Sequence, residues 1–149
     1  MAERPSRSTP TLVSLLLCDQ LIDDRFTNKK SAIGMFNTII SPTMPTVIQQ
    51  VTVLASLTEL SGQSIVELRL VRDADNGLIF SGNGRVDAPN PLAVVDLIFT
   101  LQGIQLPTPG QYAMELWSSD DLLGRRRFQL FYRPPTPAQR HQDQTEPPI

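Results

Sequence analysis

The stretch Leu15-Leu16-Leu17-Cys18-Asp19-Gln20-Leu21-Ile22 decides how this 149-residue chain folds. It has three readings: a membrane anchor, an export signal or a strand. A helix that crosses a bilayer needs about 20 predominantly apolar residues. The run from Leu12 to Cys18 is broken by Ser14 and stops at Asp19, so it is too short. Arg4 and Arg7 precede it as they would in a signal peptide, but no small-x-small cleavage site follows. A lipoprotein cleavage box wants a small residue before its cysteine, where this chain has Leu17. The strand remains. Leu12, Leu16 and Cys18 would share one face, and Val13, Leu15, Leu17 and Leu21 the other. A strand apolar on both faces belongs inside a sheet or under cover on both sides.

The chain outward from that stretch reads as further strands. Residues 1–10 are polar, hold two prolines and are expected to form a flexible arm. Asp23 to Lys30 is a polar turn, and Ser31 to Ile40 returns as a partner strand. Gly34 within it predicts a bulge or a close backbone approach. Pro42 and Pro45 end that strand, because proline offers no N–H to a ladder. Val47 to Leu60 is a long strand with Val47, Val51, Val53, Ala55 and Leu57 as its core face. Ile65 to Arg72 alternates, with Val66, Leu68 and Leu70 inside and Glu67 and Arg69 outside.

Asn76-Gly77 at the end of Asp73-Ala74-Asp75 predicts a hairpin with a type I′ turn. Leu78 to Phe80 is a short strand, and Ser81-Gly82-Asn83-Gly84 is expected to be flexible. Leu92 to Leu101 turns Val95, Leu97, Phe99 and Leu101 inward around a lone Asp96. Gln102 to Pro109 reads as a connection. Gly110 to Trp117 and Leu122 to Tyr132 follow, with Tyr112, Met114, Leu116, Phe128 and Leu130 inward. Residues 134–149 are a proline-rich tail expected to be disordered.

No apolar pattern of period 3.6 persists long enough to demand a helix. About eight strands at turn spacing predict an all-β fold, an antiparallel β-sandwich of immunoglobulin-like, Greek-key type over residues 11–133. Gly110-x-Tyr112 after Pro109 has the form of a tyrosine corner, in which a hydroxyl caps backbone groups across a connection. Trp117 is on the wrong strand for the buried tryptophan of antibody domains.

Leu16-Leu17-Cys18-Asp19, Ser31-Ala32-Ile33-Gly34-Met35-Phe36, Pro91-Leu92-Ala93-Val94-Val95 and Pro109-Gly110-Gln111-Tyr112 carry a resemblance. With these motifs the chain resembles a bacterial family of short all-β proteins classed as a domain of unknown function, over roughly residues 12 to 132. The resemblance implies a small β-sandwich. It implies no activity, cofactor or site residue.

Composition narrows function by exclusion. The net charge is −2, and the longest run of like charge is Arg125-Arg126-Arg127, so no basic face for nucleic acid is expected. Cys18 is the only cysteine, so no intramolecular disulfide can form and a reducing, cytoplasmic compartment is expected. His141 is the only histidine and falls in the tail, which leaves no histidine-based triad or zinc site in the domain.

The remaining polar residues read as structural. Asp73-x-Asp75-Asn76-Gly77 has the spacing that starts a calcium loop, but its glycine comes one position early and no glutamate closes it. Asp120-Asp121 and Asp23-Asp24 are acidic loops that would have to converge with it to hold a cation. Asp96 is expected to point outward or accept backbone hydrogen bonds. The arginine run could bind an anion or guard a sheet edge. Arg133-Pro134-Pro135-Thr136-Pro137 could serve as a polyproline ligand.

No catalytic, cofactor-binding or metal residue is assigned, and no cofactor. The expectation is a non-enzymatic intracellular interaction or scaffold domain with a protein partner and with neither nucleic acid nor membrane as ligand. The alternative is a small-ligand or calcium-binding module using loops at one end.

Overall fold

A computed structural model describes residues 9–136. The flexible arm expected over residues 1–10 falls outside this range up to residue 8, and the expected tail falls outside it from residue 137. The fold is all-β, with nine strands and no helix among the described residues. None of them therefore forms a helix long and apolar enough to cross a membrane. In chain order the strands are β1 (Thr11–Asp23), β2 (Lys30–Met35), β3 (Thr38–Ser41), β4 (Thr46–Thr58) and β5 (Gln63–Arg72), then β6 (Gly77–Asp87), β7 (Val95–Leu106), β8 (Gly110–Ser118) and β9 (Asp121–Tyr132). They form a four-stranded sheet in the order β2-β1-β4-β7 and a five-stranded sheet in the order β3-β9-β8-β5-β6.

Inward side chains of both sheets meet in one cluster. Leu17, Val53, Ala55 and Leu57 come from the first sheet, and Leu68, Leu70, Met114, Leu116 and Leu130 from the second. Burying one such leucine contributes about 1.5–3 kcal/mol. Tyr112 is wholly buried and stacks on Phe128 with ring centroids 5.6 Å apart. Its hydroxyl donates to the Thr108 carbonyl at 2.6 Å and accepts from the Thr108 N–H at 3.3 Å. The local geometry expected of Gly110-x-Tyr112 is thus present.

Several sequence expectations are corrected. There are nine strands because Ser31–Ile40 is not one strand. It leaves the first sheet at Met35 and re-forms at Thr38 beside β9 in the second. That β3–β9 pairing is parallel, so the fold is not wholly antiparallel. β6 runs unbroken through Ser81-Gly82-Asn83-Gly84, because Phe80 and Phe99 lie over Gly82 and Gly84 and supply the packing that the glycines lack. β7 continues to Leu106 past Gly103, whose φ is +65°, rather than ending at Leu101. On β4, Ile48 packs on the core and Val47 is exposed, the reverse of the simple alternation. On β1, a bulge between Leu12 and Ser14 sends Val13 outward, and Leu12 joins Leu15 and Leu17 on the inner side. The β5–β6 turn is not type I′. Only Asn76 takes a left-handed φ, whereas type I′ needs two such residues. Thr9 and Pro10 are anchored, since Thr9 Oγ1 donates to Asp121 Oδ2 at 3.2 Å and Pro10 is buried.

One contact shows that the first hairpin does not lie flat. Lys30 Nζ is 3.4 Å from Asp96 Oδ2. Lys30 pairs with Asp23, while Asp96 aligns through Ser56 with Ser14. In an unbent sheet those rows would be nine residues of β1 apart, about 30 Å. The β1–β2 hairpin therefore turns back across the outer face of the four-stranded sheet. The bend falls at Asp19 opposite Gly34, which are unpaired between Cys18↔Met35 and Gln20↔Ile33 although the register does not change. Gly34 has φ +71°, and a Cβ there would collide with the Asp19 carboxylate. The close approach expected at Gly34 is present, and the alternative expected there, a bulge, is not, since the register is the same on either side. Beneath the hairpin the outward side chains are sheltered: Cys18 is 0% exposed, Thr52 2% and Leu54 9%, although Cys18 and Leu54 lie outside the core cluster.

Candidate functional site

Among the described residues, none forms such a cover over the outer face of the five-stranded sheet. Strand alternation places the polar partners of the inward leucines there: Glu67 and Arg69 flank Leu68, and Glu115 and Trp117 flank Leu116. Register then brings them together. Ser81, Arg69, Glu115 and Arg125 fall in one row across β6, β5, β8 and β9, and Glu67 faces Trp117 one row away.

The centre of the group is Glu115, a carboxylate only 5% exposed. Arg125 donates to its Oε2 from Nε at 2.8 Å and also from Nη2. Trp117 Nε1 donates to its Oε1 at 3.3 Å. A carboxylate this buried is costly unless its lone pairs are filled by charge-assisted donors. The Arg69 guanidinium lies 4.5 Å from the Trp117 ring centroid, a cation–π contact. Arg69 also grips Glu67 with two bonds, at 2.7 and 3.2 Å, and Ser81 Oγ donates to Glu67 at 2.9 Å. The Arg69 bonds, followed by the Ser81 bond, hold the Glu67 carboxyl below its ordinary range, and Glu67 in turn raises the Arg69 guanidinium. Glu67, Arg69, Val71, Asn76, Leu78, Glu115, Trp117 and Arg125 line a cleft of about 430 Å³. It is a built surface with an indole, two arginines and an apolar wall.

The residues singled out by sequence do not converge. Asp75 is bound by Arg72 at 2.7 and 3.0 Å and accepts from the Gly77 N–H. The Arg72 bonds come first among the causes that lower its pKa to about 2. Asp73 pairs with Arg127 at 3.4 Å. Asp24 accepts from the N–H groups of Phe26 and Thr27 within its own loop. Among the described residues no three His, Cys, Asp or Glu side chains gather as a metal site. Asp96 points outward, as expected, and accepts from Ser56 Oγ at 2.6 Å in addition to pairing with Lys30. Cys18 is buried, its Sγ lies 3.7 Å from the Thr52 carbonyl, and burial raises the thiol pKa.

The arginine run divides its partners among Glu115, Asn37 and Asp73. Arg125 and Arg127 share the outer face, opposite Glu115 and Ala113 of β8. β3 covers β9 only from Gln129 onward, so the run borders an open edge. Sequence reasoning set Trp117 aside and left Glu115 unmarked. The available signal was the pair of outward dipeptide patterns Glu67-x-Arg69 and Glu115-x-Trp117 on strands of like alternation.

A second cleft of about 520 Å³ lies at one end, lined by Thr9, Pro10, Ser61, Gln63, Ser64, Ile65, Ser118, Ser119 and Asp121. It borders residues before Thr9 that are not described.

The profile of a family of unknown function, DUF6941, matches residues 13–131. No curated protein matches the sequence. Solved structures that resemble the fold do so distantly. The DNA-bound alkylpurine DNA glycosylase AlkC of Pseudomonas fluorescens has a TM-score of 0.48 and 11% identity, over 82% of this chain and 30% of its own. The β-glucosidase of Listeria innocua with glucose has a TM-score of 0.43 and 10% identity, over 85% of this chain and 16% of its own. The chain thus spans less than a third of either protein. Similarity this slight transfers neither activity nor ligand.

Proposed function

Because this chain belongs to the DUF6941 family, for which no activity is described, we propose a function from its own surface: a non-enzymatic protein-binding module of the cytoplasm. The observation that carries it is Trp117, held between Arg69 and Glu115 on the face of the five-stranded sheet that no described residue covers. Trp and Arg are the residue types that most often dominate the energy of protein interfaces. Here they are fixed before any partner arrives, so less side-chain entropy is lost on binding. Glu67, Glu115, Asp73 and Asp75 are each neutralised by an arginine, which suits a rigid docking face better than acid–base chemistry.

The fold reading in its finer form belongs to the same proposal. The order β9-β8-β5-β6 corresponds to the G-F-C-C′ sheet of variable-type immunoglobulin domains, with β4 and β7 in the places of B and E. Tyr112 then sits at the start of strand F, where a tyrosine corner belongs.

The test is site-specific photo-crosslinking in cells with the probe at Asn83, on the rim, and at Thr100, on the opposite sheet. A discrete protein adduct from Asn83 alone, lost in Trp117→Ala with the melting curve checked, is the expected result. Loss of a dominant tryptophan costs about 2 kcal/mol or more of binding, roughly thirtyfold in affinity. No adduct from Asn83, or one indifferent to Trp117→Ala, overturns the reading.

A further inference from the structure

The cleft at Trp117 is closed to charge. Its charged lining residues are Glu67, Arg69, Glu115 and Arg125, two of each sign, and they pair with one another. The charges just outside are paired as well, Arg72 with Asp75 and Asp73 with Arg127. Further along β6, Arg85 and Asp87 are one of each sign. Asp120, in the turn before β9, adds one negative charge. It is the last of the causes that raise the Arg69 guanidinium, behind Glu67 and Glu115. A charged side chain entering this cleft would lose water without gaining a free counter-charge, which is unfavourable.

What the cleft offers is apolar surface and one amide. Val71 and Leu78 form a wall beside the Trp117 indole, and Leu78 is 59% exposed. Arg69 already lies over the Trp117 ring, so an incoming group meets the aliphatic wall first. The Asn76 carboxamide lines the same cleft and bonds no described residue. Its turn is fixed: Asn76 has φ 55°, and the preceding Asp75 accepts from the Gly77 N–H and is gripped by Arg72. A carboxamide carries a donor and an acceptor side by side, the complement of one peptide unit.

We propose that this cleft takes one uncharged aliphatic side chain of a partner protein, with the adjoining peptide unit on the Asn76 carboxamide. The inference rests on the reading of that face as a protein-binding surface and names what the partner brings. The side chain covers Leu78 and removes its apolar surface from water. The peptide unit replaces the water that serves the exposed Asn76 amide. Arg69, Trp117 and Arg125 are already tied to carboxylates, so the cleft itself has little left to order on binding.

The test is a titration of the full chain with leucine blocked as its N-acetyl N′-methylamide, which supplies the side chain and its peptide units. The chain has one tryptophan, so its indole N–H gives a single nitrogen–proton resonance to follow. That resonance and the Asn76 amide resonances should shift together and saturate with a Kd of ~1 mM, ordinary for a ligand of this size. Blocked lysine and blocked glutamate should bind at least ~10-fold more weakly. Leu78→Ser removes the wall, and Asn76→Gly removes the amide while keeping the left-handed φ. Each should weaken blocked leucine about fivefold with an unchanged melting curve. An indole resonance that does not move, equal binding of the three probes, or an unchanged Kd in either variant overturns the proposal. If it fails while the Trp117-dependent crosslink to another protein persists, the face still binds protein and only the occupant's chemistry is wrong. If the titration succeeds and the crosslink fails, the cleft's chemistry stands and the reading of a cellular partner falls.

Discussion

The two outer faces of this molecule solve one problem differently. On the four-stranded sheet, Cys18, Thr52 and Leu54 point away from the core and are hidden by the chain's own hairpin. On the five-stranded sheet, Glu67, Arg69, Glu115, Trp117 and Arg125 point away from the core, are covered by no further layer of described residues, and are joined instead into a network of charge-assisted bonds. One face is apolar and covered; the other is polar, preordered and open. The difference teaches where to look for a partner. A face that the chain covers itself is structural, whereas a face that spends five ordered side chains on staying fixed in water is shaped for contact.

Substitution can break that contrast. Leu54→Ala should cost about 2–3 kcal/mol in denaturant unfolding, the low end for a buried leucine. A cost below about 1 kcal/mol would mean that the hairpin is not a cover. Glu115→Gln should cost about 1–2 kcal/mol, because a buried charge-assisted acceptor is lost while Arg125 stays one-third exposed and partly solvated. A neutral result would reduce the network to surface decoration. Gly34→Ala should cost about 1 kcal/mol, from its left-handed φ and the Asp19 carboxylate in its way. The loss should appear as faster amide exchange confined to residues 19–34, with the five-stranded sheet unaffected.

The smallest effect is one of pH. Asp75 has its pKa lowered to about 2 from 3.8, chiefly by Arg72. A depressed carboxylate gives stability that is complete above its unfolded pKa and lost as pH falls through the folded one. Asp75→Asn should therefore flatten the melting temperature profile between pH 3.8 and about 2 and leave it unchanged at neutrality, apart from a constant offset. An unaltered acid limb would show that the Arg72 pairing does not persist in solution.

Much of the second sheet was legible in the sequence because alternation and short turns determine it locally. Val66, Leu68 and Leu70 face in, Arg69 faces out, and Tyr112 reaches a carbonyl only four residues away. The candidate site was not legible. Arg69, Trp117 and Arg125 meet only through the registers of three strands, and one residue of slip would scatter them. The hairpin's course was hidden for another reason. Gly34 announced a close approach, but the partner that shows its direction, Asp96, lies far along the chain. The break at Phe36-Asn37 carries neither proline nor glycine, so nothing local marked the crossing to the second sheet.

The parallel pairing of β3 with β9 has a consequence for synthesis. Thr38 to Ser41 leave the ribosome early, yet their hydrogen-bonding partners are Gln129 to Tyr132. Pairing over so long a separation is slow, because the entropy of closing the loop is spent before any contact rewards it. A nascent chain stalled before Asp121 would hold β1, β2 and β4 to β8 with β3 orphaned and the flank of β8 bare. Such an intermediate is the point at which a chaperone would be needed most.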